Sequence, residues 1–560
     1  MSSTAKANLR KLTRRPAALV AVAFGVVVVV AVALFVVLGI TGNDPAKKRD
    51  VAKQFETAWE QGNYQQMYAL LDPRIQHDVS LDSFVASYHA ADRAATTTGV
   101  TDGGPLRVQG DTVSVPVTVH TRVFGDIGGP IALPLTDTDA GWRVKWQPDV
   151  RFPGLKPQQE LTQHLDPPPR APILAADGKQ LSAGPNGQSA LGEAGLEIAG
   201  RVGPASQAQK DVGKFQTGAS GLERAYDDQL SGLPGGVLSA GPTVIAHAVP
   251  RPGRPLLTTI DEKAQQAAVS ALANRPGGIA VIRPSDGAVL GLSGFAISTT
   301  QPPGSTFKMI TTAAALESNA ATAQTTFPMQ NSATLSGVKL NNNENETCGG
   351  TLENAFAVSC NSVFAPLGAR IGASKLVDTA KAFGFNSKPR LLDEKTSSIP
   401  EASQLRDDLA VGSSAIGQGR VTATPLQMAS VASAIANGGT LASPMLLRDL
   451  PVQQTKATTP PVAAQIKQFM QDVVTHGTGT PAQIPGLSVA GKTGTAELRA
   501  TPSNQPPGPP DPRNSDAWFA GFAPADHPQV TVSVLLIGAG QGGQSAAPLA
   551  RQVLLSTVSH

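Results

Sequence analysis

The chain has 560 residues, 41% of them hydrophobic and 16% charged, with a formal net charge of +3. That length exceeds what one core needs, so two to four domains are expected in a globular protein with some membrane content. No basic stripe runs along any segment, which excludes a nucleic-acid footprint. Eight histidines are scattered without H-E-x-x-H or another ligand spacing, so neither a metal site nor a cofactor is expected.

Lys6, Arg10, Lys11, Arg14 and Arg15 precede an uncharged apolar run from Ala17 to Ile40. At about 1.5 Å per residue this run reaches about 36 Å, enough to cross a hydrocarbon core. A cleaved signal peptide would have a shorter apolar core and a small-residue cleavage site after it. The expectation is therefore a cytoplasmic tail at 1–16 and one transmembrane anchor at 17–40, with the rest of the chain outside the cytoplasm.

Val51, Phe55, Trp59, Tyr64, Met67, Leu70 and Leu71 fall at helical spacings with a break at Gly62-Asn63, which predicts two amphipathic helices. "LRVQGDTVSVPVTVHTRVFGDI" then alternates apolar and polar residues around Gly110-Asp111, a hairpin signal. "GWRVKWQPDVRFPGL" adds a strand and a closing turn, completing a small α+β domain at about 45–155. "HLDPPPRAP" is a breaker-rich linker, and from 170 to about 250 the pattern is weak. Next come a strand and a helix with Asp261 as N-cap, then two strands about the Ser285-Asp286-Gly287 turn. Residues 255–560 read as one large domain of mixed helices and strands.

Three short motifs in that domain can carry chemistry. "PPGSTFK" puts Ser305 at a helix start, where free N–H groups favour negative charge, and Lys308 one turn on, on the same face. A desolvated lysine crowded by another cation can accept a hydroxyl proton. S-x-x-K alone is weak: Ser3-Thr4-Ala5-Lys6 matches it too, and Ser305 reads equally well as an N-cap. Ser359-Cys360-Asn361 places a hydroxyl and an amide on a turn between helices, where they can relay a proton and hold an amide carbonyl, or simply make a turn. Lys492-Thr493-Gly494-Thr495 looks like an edge strand whose glycine admits a ligand's backbone. Its lysine and hydroxyls suit a carboxylate.

Order and spacing add what the single motifs lack. S-x-x-K, S-x-N and K-T-G in this order are the set of penicillin-binding proteins and class A β-lactamases. With "AIGQGRVTATPLQMA", "GKTGTAE" and "AWFAGFAP", residues 255–560 resemble a penicillin-binding transpeptidase domain. The 45–155 region resembles the MecA-type N-terminal domain, a small cone-shaped α+β fold. Residues 160–250 resemble the pedestal or dimerisation domain, with "RAPILAADG" in place of the usual opening. The resemblance is thus to a class B, monofunctional penicillin-binding protein: a multidomain α+β chain whose last domain packs an antiparallel sheet between helices.

That resemblance implies a membrane-anchored serine D,D-transpeptidase acting on peptidoglycan stem peptides ending in D-Ala-D-Ala, and acylated by β-lactams. Ser305 is then the nucleophile and Lys308 the general base. Ser359 and Lys492 carry the proton to the leaving amine, and Asn361, Thr493, Gly494 and Thr495 bind substrate. The backbone N–H groups of Ser305 and Thr495 form the oxyanion hole. Partners would include a polytopic glycan polymerase and other cell-wall complex proteins. A carboxypeptidase or β-lactamase using the same site, or a non-catalytic β-lactam receptor or scaffold, are the alternatives. A Ser-His-Asp hydrolase is disfavoured, since no G-x-S-x-G elbow occurs.

Two further expectations concern the surroundings of the site. Cys348 and Cys360 lie outside the cytoplasm on this reading, so a disulfide between them is favoured over two buried thiols, and would stiffen the S-x-N loop. The proline-rich "ATPSNQPPGPPDPRNS" follows the Lys492 strand and is expected to overhang the cleft.

Overall fold

The computed structural model describes residues 44–182, 188–211, 213–391, 393–498 and 511–558. The expected anchor at 17–40 and most of the proline-rich loop lie outside these. Among the described residues, no helix is long and apolar enough to cross a membrane.

The chain divides into two compact units. The first comprises the described residues up to Pro168 together with those of Ala205–Phe215 and Leu233–Arg251. Helix Pro45–Glu60 begins where Asp44 accepts a hydrogen bond from Ala46 N, and it buries Ala52, Phe55, Ala58 and Trp59. The second expected helix is Tyr64–Ala69, capped by Asn63. A further helix, Leu81–Ala95, supplies Phe84 and Tyr88. The hairpin turn falls at Gly110-Asp111, where Arg107–Gln109 pairs with Thr112–Thr121. In Thr112–Thr121 every second residue, Val113 to Val119, points into the core, the period of two that a half-buried strand requires. Leu238 and Ala240 join this same core from a three-stranded sheet of Leu161–Asp166, Gly235–Ala240 and Thr243–Ala248. The region expected as one domain at 160–250 is thus shared between the two units.

The second unit comprises the described residues of Pro169–Pro204, of Gln216–Gly232 and from Pro252 onward. Its centre is a five-stranded antiparallel sheet of β1 (Gly277–Ile282), β2 (Val289–Gly294), β3 (Ala490–Glu497), β4 (Ser515–Ala523) and β5 (Val530–Leu536). The spatial order is β2-β1-β5-β4-β3, so β3 is an edge strand. Asp261 caps helix α1 (Glu262–Leu272) through a bond from Ala264 N. Alanines of α1 and of the last helix, Gly542–Thr557, pack on Val281, Phe519, Val532 and Val534 on one sheet face. On the other face Trp518, Ala520, Phe522 and Leu535 meet a helical lobe containing Phe307, Phe356, Phe364 and Phe469. Residues of a strand alternate between these two cores, and that alternation holds the sheet between helical layers.

A buried ion cluster closes the first part of this unit. Arg170 donates to Glu223 Oε2 at 2.7 Å and to Asp227 Oδ1 at 2.9 Å, with side-chain exposures of 3% and 1% for Arg170 and Glu223. Removing one partner strands the other charge in the interior. Arg170→Ala is expected to destabilise the unit by about 3–5 kcal/mol. An Arg170→Met/Glu223→Leu pair should recover much of that loss, as read from denaturant midpoints.

Candidate active site

The turn Gly304–Phe307 is a 3-10 turn that runs directly into helix α2 (Lys308–Glu317), so Ser305 stands one turn ahead of the α-helix proper. Ser305 is half-buried, and Lys308 is fully buried. Gly304 has a φ of +51°, and a Cβ there would lie 2.7 Å from Thr495 O on β3. This turn therefore needs glycine for both backbone sign and space.

Ser359 sits between α3 (Leu352–Ala357) and α4 (Asn361–Ile371) with a φ of +64°, rare for a residue with a side chain. Its hydroxyl accepts from Lys492 Nζ at 2.9 Å and lies 3.4 Å from Lys308 Nζ. Lys308 also donates to Ser359 O at 2.6 Å and to Asn361 Oδ1 at 2.8 Å. The two lysines thus converge on one hydroxyl. The ammonium of Lys308 is engaged by the S-x-N turn, whereas the motif alone suggests Ser305 as its partner.

Lys492 donates to Thr493 O at 3.1 Å and is fully buried. Each ammonium lies over an aromatic ring, Lys308 over Phe364 at 5.4 Å and Lys492 over Phe356 at 5.6 Å. Burial lowers the proton affinity of both. Lys308 falls well below the ordinary lysine range, first through desolvation and then through the neighbouring charge of Lys492. Lys492 falls to about 7 through desolvation. Desolvation prevails over the ring faces and carbonyls, which favour the charged forms.

On β3, Thr493 Oγ1 faces Thr478 Oγ1 at 2.5 Å, and Thr495 Oγ1 accepts from Gly542 N at 3.3 Å. A Cβ on Gly494 would meet Pro303 O at 2.8 Å and Trp518 Cβ at 3.0 Å. One close approach that this glycine permits is that of the turn bearing Ser305. Asn361 Nδ2 donates to Asn341 O at 3.1 Å.

Cys348 and Cys360 form a disulfide with Cα atoms 5.9 Å apart. It ties the S-x-N turn to strand Cys348–Thr351. Thr478 and Asn342 escape a motif search. The hydroxyl-rich "HGTGT" after helix Pro460–Thr475 is the one signal for Thr478. Asn342 is a lone amide in a loop. Among the described residues, no group of three or more His, Cys, Asp or Glu could hold a metal ion.

A serine at a helix start, two buried lysines about a second serine, and a sheet edge with paired threonines define the acyl-serine class of active site. The family described as the penicillin binding protein transpeptidase domain matches residues 277–555, and the NTF2-like N-terminal transpeptidase domain matches 47–159. Peptidoglycan D,D-transpeptidase PbpA of Mycolicibacterium smegmatis is 34% identical over 428 residues, 64% of this chain and 84% of that protein. The protein of the same name from Mycobacterium tuberculosis is 38% identical over 296 residues, 47% of this chain and 56% of its own length, so the chain spans little more than half of that relative. The solved structure of penicillin-binding protein A from M. tuberculosis, a ceftriaxone acyl-enzyme complex, matches with a TM-score of 0.58 at 28% identity, over 70% of this chain and 99% of that one. The chain belongs to the penicillin-binding proteins with a transpeptidase domain.

Two outcomes test this geometry. Between pH 7 and the ordinary lysine pKa of about 10.4, the unfolded chain binds a proton at Lys492 that the folded chain does not. Folded stability therefore rises with pH across that window, by at most about 1.4 kcal/mol per unit. Urea midpoints of wild type against Lys492→Met at pH 7 and 9.5 should show the wild type gaining on the variant. Non-reducing peptide mapping should recover the Cys348–Cys360 cross-link rather than two free thiols.

Proposed function

We propose that this chain is a membrane-anchored serine D,D-transpeptidase that cross-links peptidoglycan stem peptides ending in D-Ala-D-Ala, and that β-lactams acylate it by the same route. The observation that carries the reading is the convergence of Lys308 and Lys492, both of lowered proton affinity, on the hydroxyl of Ser359 beside the Ser305 turn. The relatives' printed names agree with it.

In this reading Ser305 Oγ attacks the carbonyl of the penultimate D-Ala, and neutral Lys308 takes the hydroxyl proton. Lys308 reaches that proton when substrate loosens its bonds to Ser359 and Asn361; catalytic contacts commonly tighten only in the complex. The tetrahedral oxyanion is held by the backbone N–H groups of Ser305 and Thr495. Ser359 and Lys492 deliver the proton to the departing D-Ala amine. Asn361 orients the donor's amide, and Thr493, Gly494 and Thr495 line the end that receives its terminal carboxylate. An amine of a neighbouring stem peptide then attacks the acyl-enzyme, giving up a proton as the new amide forms and Ser305 is released. No cofactor enters these steps.

The apolar run at 17–40 anchors the chain with its catalytic domain outside the cytoplasm, beside a polytopic glycan polymerase and other cell-wall proteins. Residues 160–250 supply the pedestal or dimerisation region, and 255–560 the catalytic domain.

Fluorescent penicillin should label the wild type covalently. Ser305→Ala should abolish the label, and Lys308→Ala should slow labelling by about 10²–10⁴-fold with the fold retained by circular dichroism. Labelling that persists in Ser305→Ala would sink the nucleophile assignment. A donor–acceptor assay with stem peptides separates cross-linking from hydrolysis: a product containing the acceptor amine marks a transpeptidase, and release of D-Ala to water alone marks a carboxypeptidase.

A further inference from the structure

The loop 342–346 follows a hairpin of Ser332–Leu335 and Val338–Asn341 and leads into strand Cys348–Thr351. Its base is stitched to the first turn of α4, the turn that begins with Asn361. Asn342 is 5% exposed. Its amide nitrogen donates to Gln330 O and Glu346 O, both at 2.8 Å, and to Ser362 Oγ at 3.1 Å. Its amide oxygen accepts from Ser362 N at 2.7 Å. The neighbouring Asn341 O accepts from Asn361 itself. The tip is different. Residues 343–346 are exposed, and Glu344 and Asn345 both adopt left-handed backbone, with φ of +51° and +57°.

On the opposite side, Gln541 is the N-cap residue of helix Gly542–Thr557, and Gly542 N donates to Thr495 Oγ1. Gln541 Nε2 donates to Glu344 Oε1. That one bond joins the Asn361 side of the site to the Thr495 side. It links two residues 197 apart in sequence that belong to neither the S-x-x-K, the S-x-N nor the K-T-G motif.

We propose that Glu344 and Gln541 form a clasp over the donor cleft, and that Glu344 is a specificity-determining residue which an incoming acyl donor must displace. This rests on the reading of Asn361 and Thr495 as the two walls of the donor site. The clasp closes the end where Thr493 and Thr495 receive the donor's terminal carboxylate. An anionic donor therefore meets a carboxylate before it meets the threonines, and like charges at short range repel. The bond is exposed, so its net strength is small. The anchored Asn342 holds the loop's base, while the left-handed tip gives Glu344 a place to swing from. A ligand with enough contacts along β3 opens the clasp, and a poorly matched anion does not. The clasp thus acts as a filter on entry and leaves the acylation chemistry to the buried lysines.

The two partners are separable. Glu344→Ala removes both the bond and the charge, whereas Gln541→Ala removes the bond alone. Second-order rate constants for acylation by fluorescent penicillin should rise several-fold in both variants, more in Glu344→Ala. The double variant should match Glu344→Ala, and the gap between the two single variants should narrow as salt screens the charge. Thermal midpoints should stay at the wild-type value, since both residues lie at the surface. Unchanged rate constants in both single variants, or a double variant whose gain is the product of the two, would overturn the clasp. A folded wild type that does not label at all would instead overturn the transpeptidase reading.

Discussion

Everything at this site depends on burying two lysines around one serine hydroxyl. A charged ammonium taken out of water loses hydration that a protein interior replaces only in part. Here the replacement is generous for one proton: Ser359 O, Asn361 Oδ1 and Thr493 O accept, and Phe364 and Phe356 offer ring faces. It does not serve two protons equally well, because both nitrogens abut the same Ser359 oxygen. Desolvation lowers both affinities, and the charge of Lys492 lowers that of Lys308 further. A site that prefers less than its full complement of protons near neutrality holds a base and an acid side by side. That is the arrangement an acyl transfer needs, since one proton must leave a serine and another must reach an amine.

The rest of the unit can be read as the scaffold that keeps this pair dry and in register. Sheet order puts β3 at the edge, so Lys492 reaches the helical lobe while the outer backbone is left to face the Ser305 turn. The approach is so close that neither Gly304 nor Gly494 has room for a side chain. Alanine-rich helices on one face and aromatic side chains on the other form the two cores about the sheet. Stability and chemistry pull against each other here. Two polar chains sit where apolar ones would be easier to bury, and the surrounding core absorbs that penalty.

How legible this was in the sequence follows from physical range. Helix Pro45–Glu60, the Gly110 turn, the Asp261 cap and the paired strands about Gly287 announce themselves through local period and turn chemistry. The three motifs at Ser305, Ser359 and Lys492 were equally plain, because their order survives in the linear chain. The weakly patterned stretch at 170–250 was not. Strands such as Ile173–Leu174 and Val202–Pro204 have only two or three residues, too few to show a period, and Leu238 and Ala240 find their core among residues that precede them by more than eighty positions. Thr478 and Asn342 stayed hidden for the same reason, each being a single polar residue that acquires meaning from a partner distant in the chain. Nor does the sequence show which groups Lys308 bonds to. Helical spacing points it at Ser305, whereas three acceptors on the S-x-N turn capture it.

Ser359 shows how the fold holds such an arrangement. A left-handed conformation at a residue with a side chain costs about 1–3 kcal/mol and persists only where its neighbours over-determine it. They do so here from every side. Ser359 N donates to Phe356 O at 3.1 Å, and Cys360 N donates to Ala355 O at 2.8 Å. Asn342 grips Ser362 from below, and the disulfide fastens Cys360 to the strand at Cys348. A relaxed turn would carry the hydroxyl away from one lysine or the other, and the pair would lose the shared oxygen that couples their protons. The backbone penalty at one residue therefore sustains the electrostatic coupling of two others. The cysteine within the S-x-N motif is part of that support, as its place in the sequence suggested.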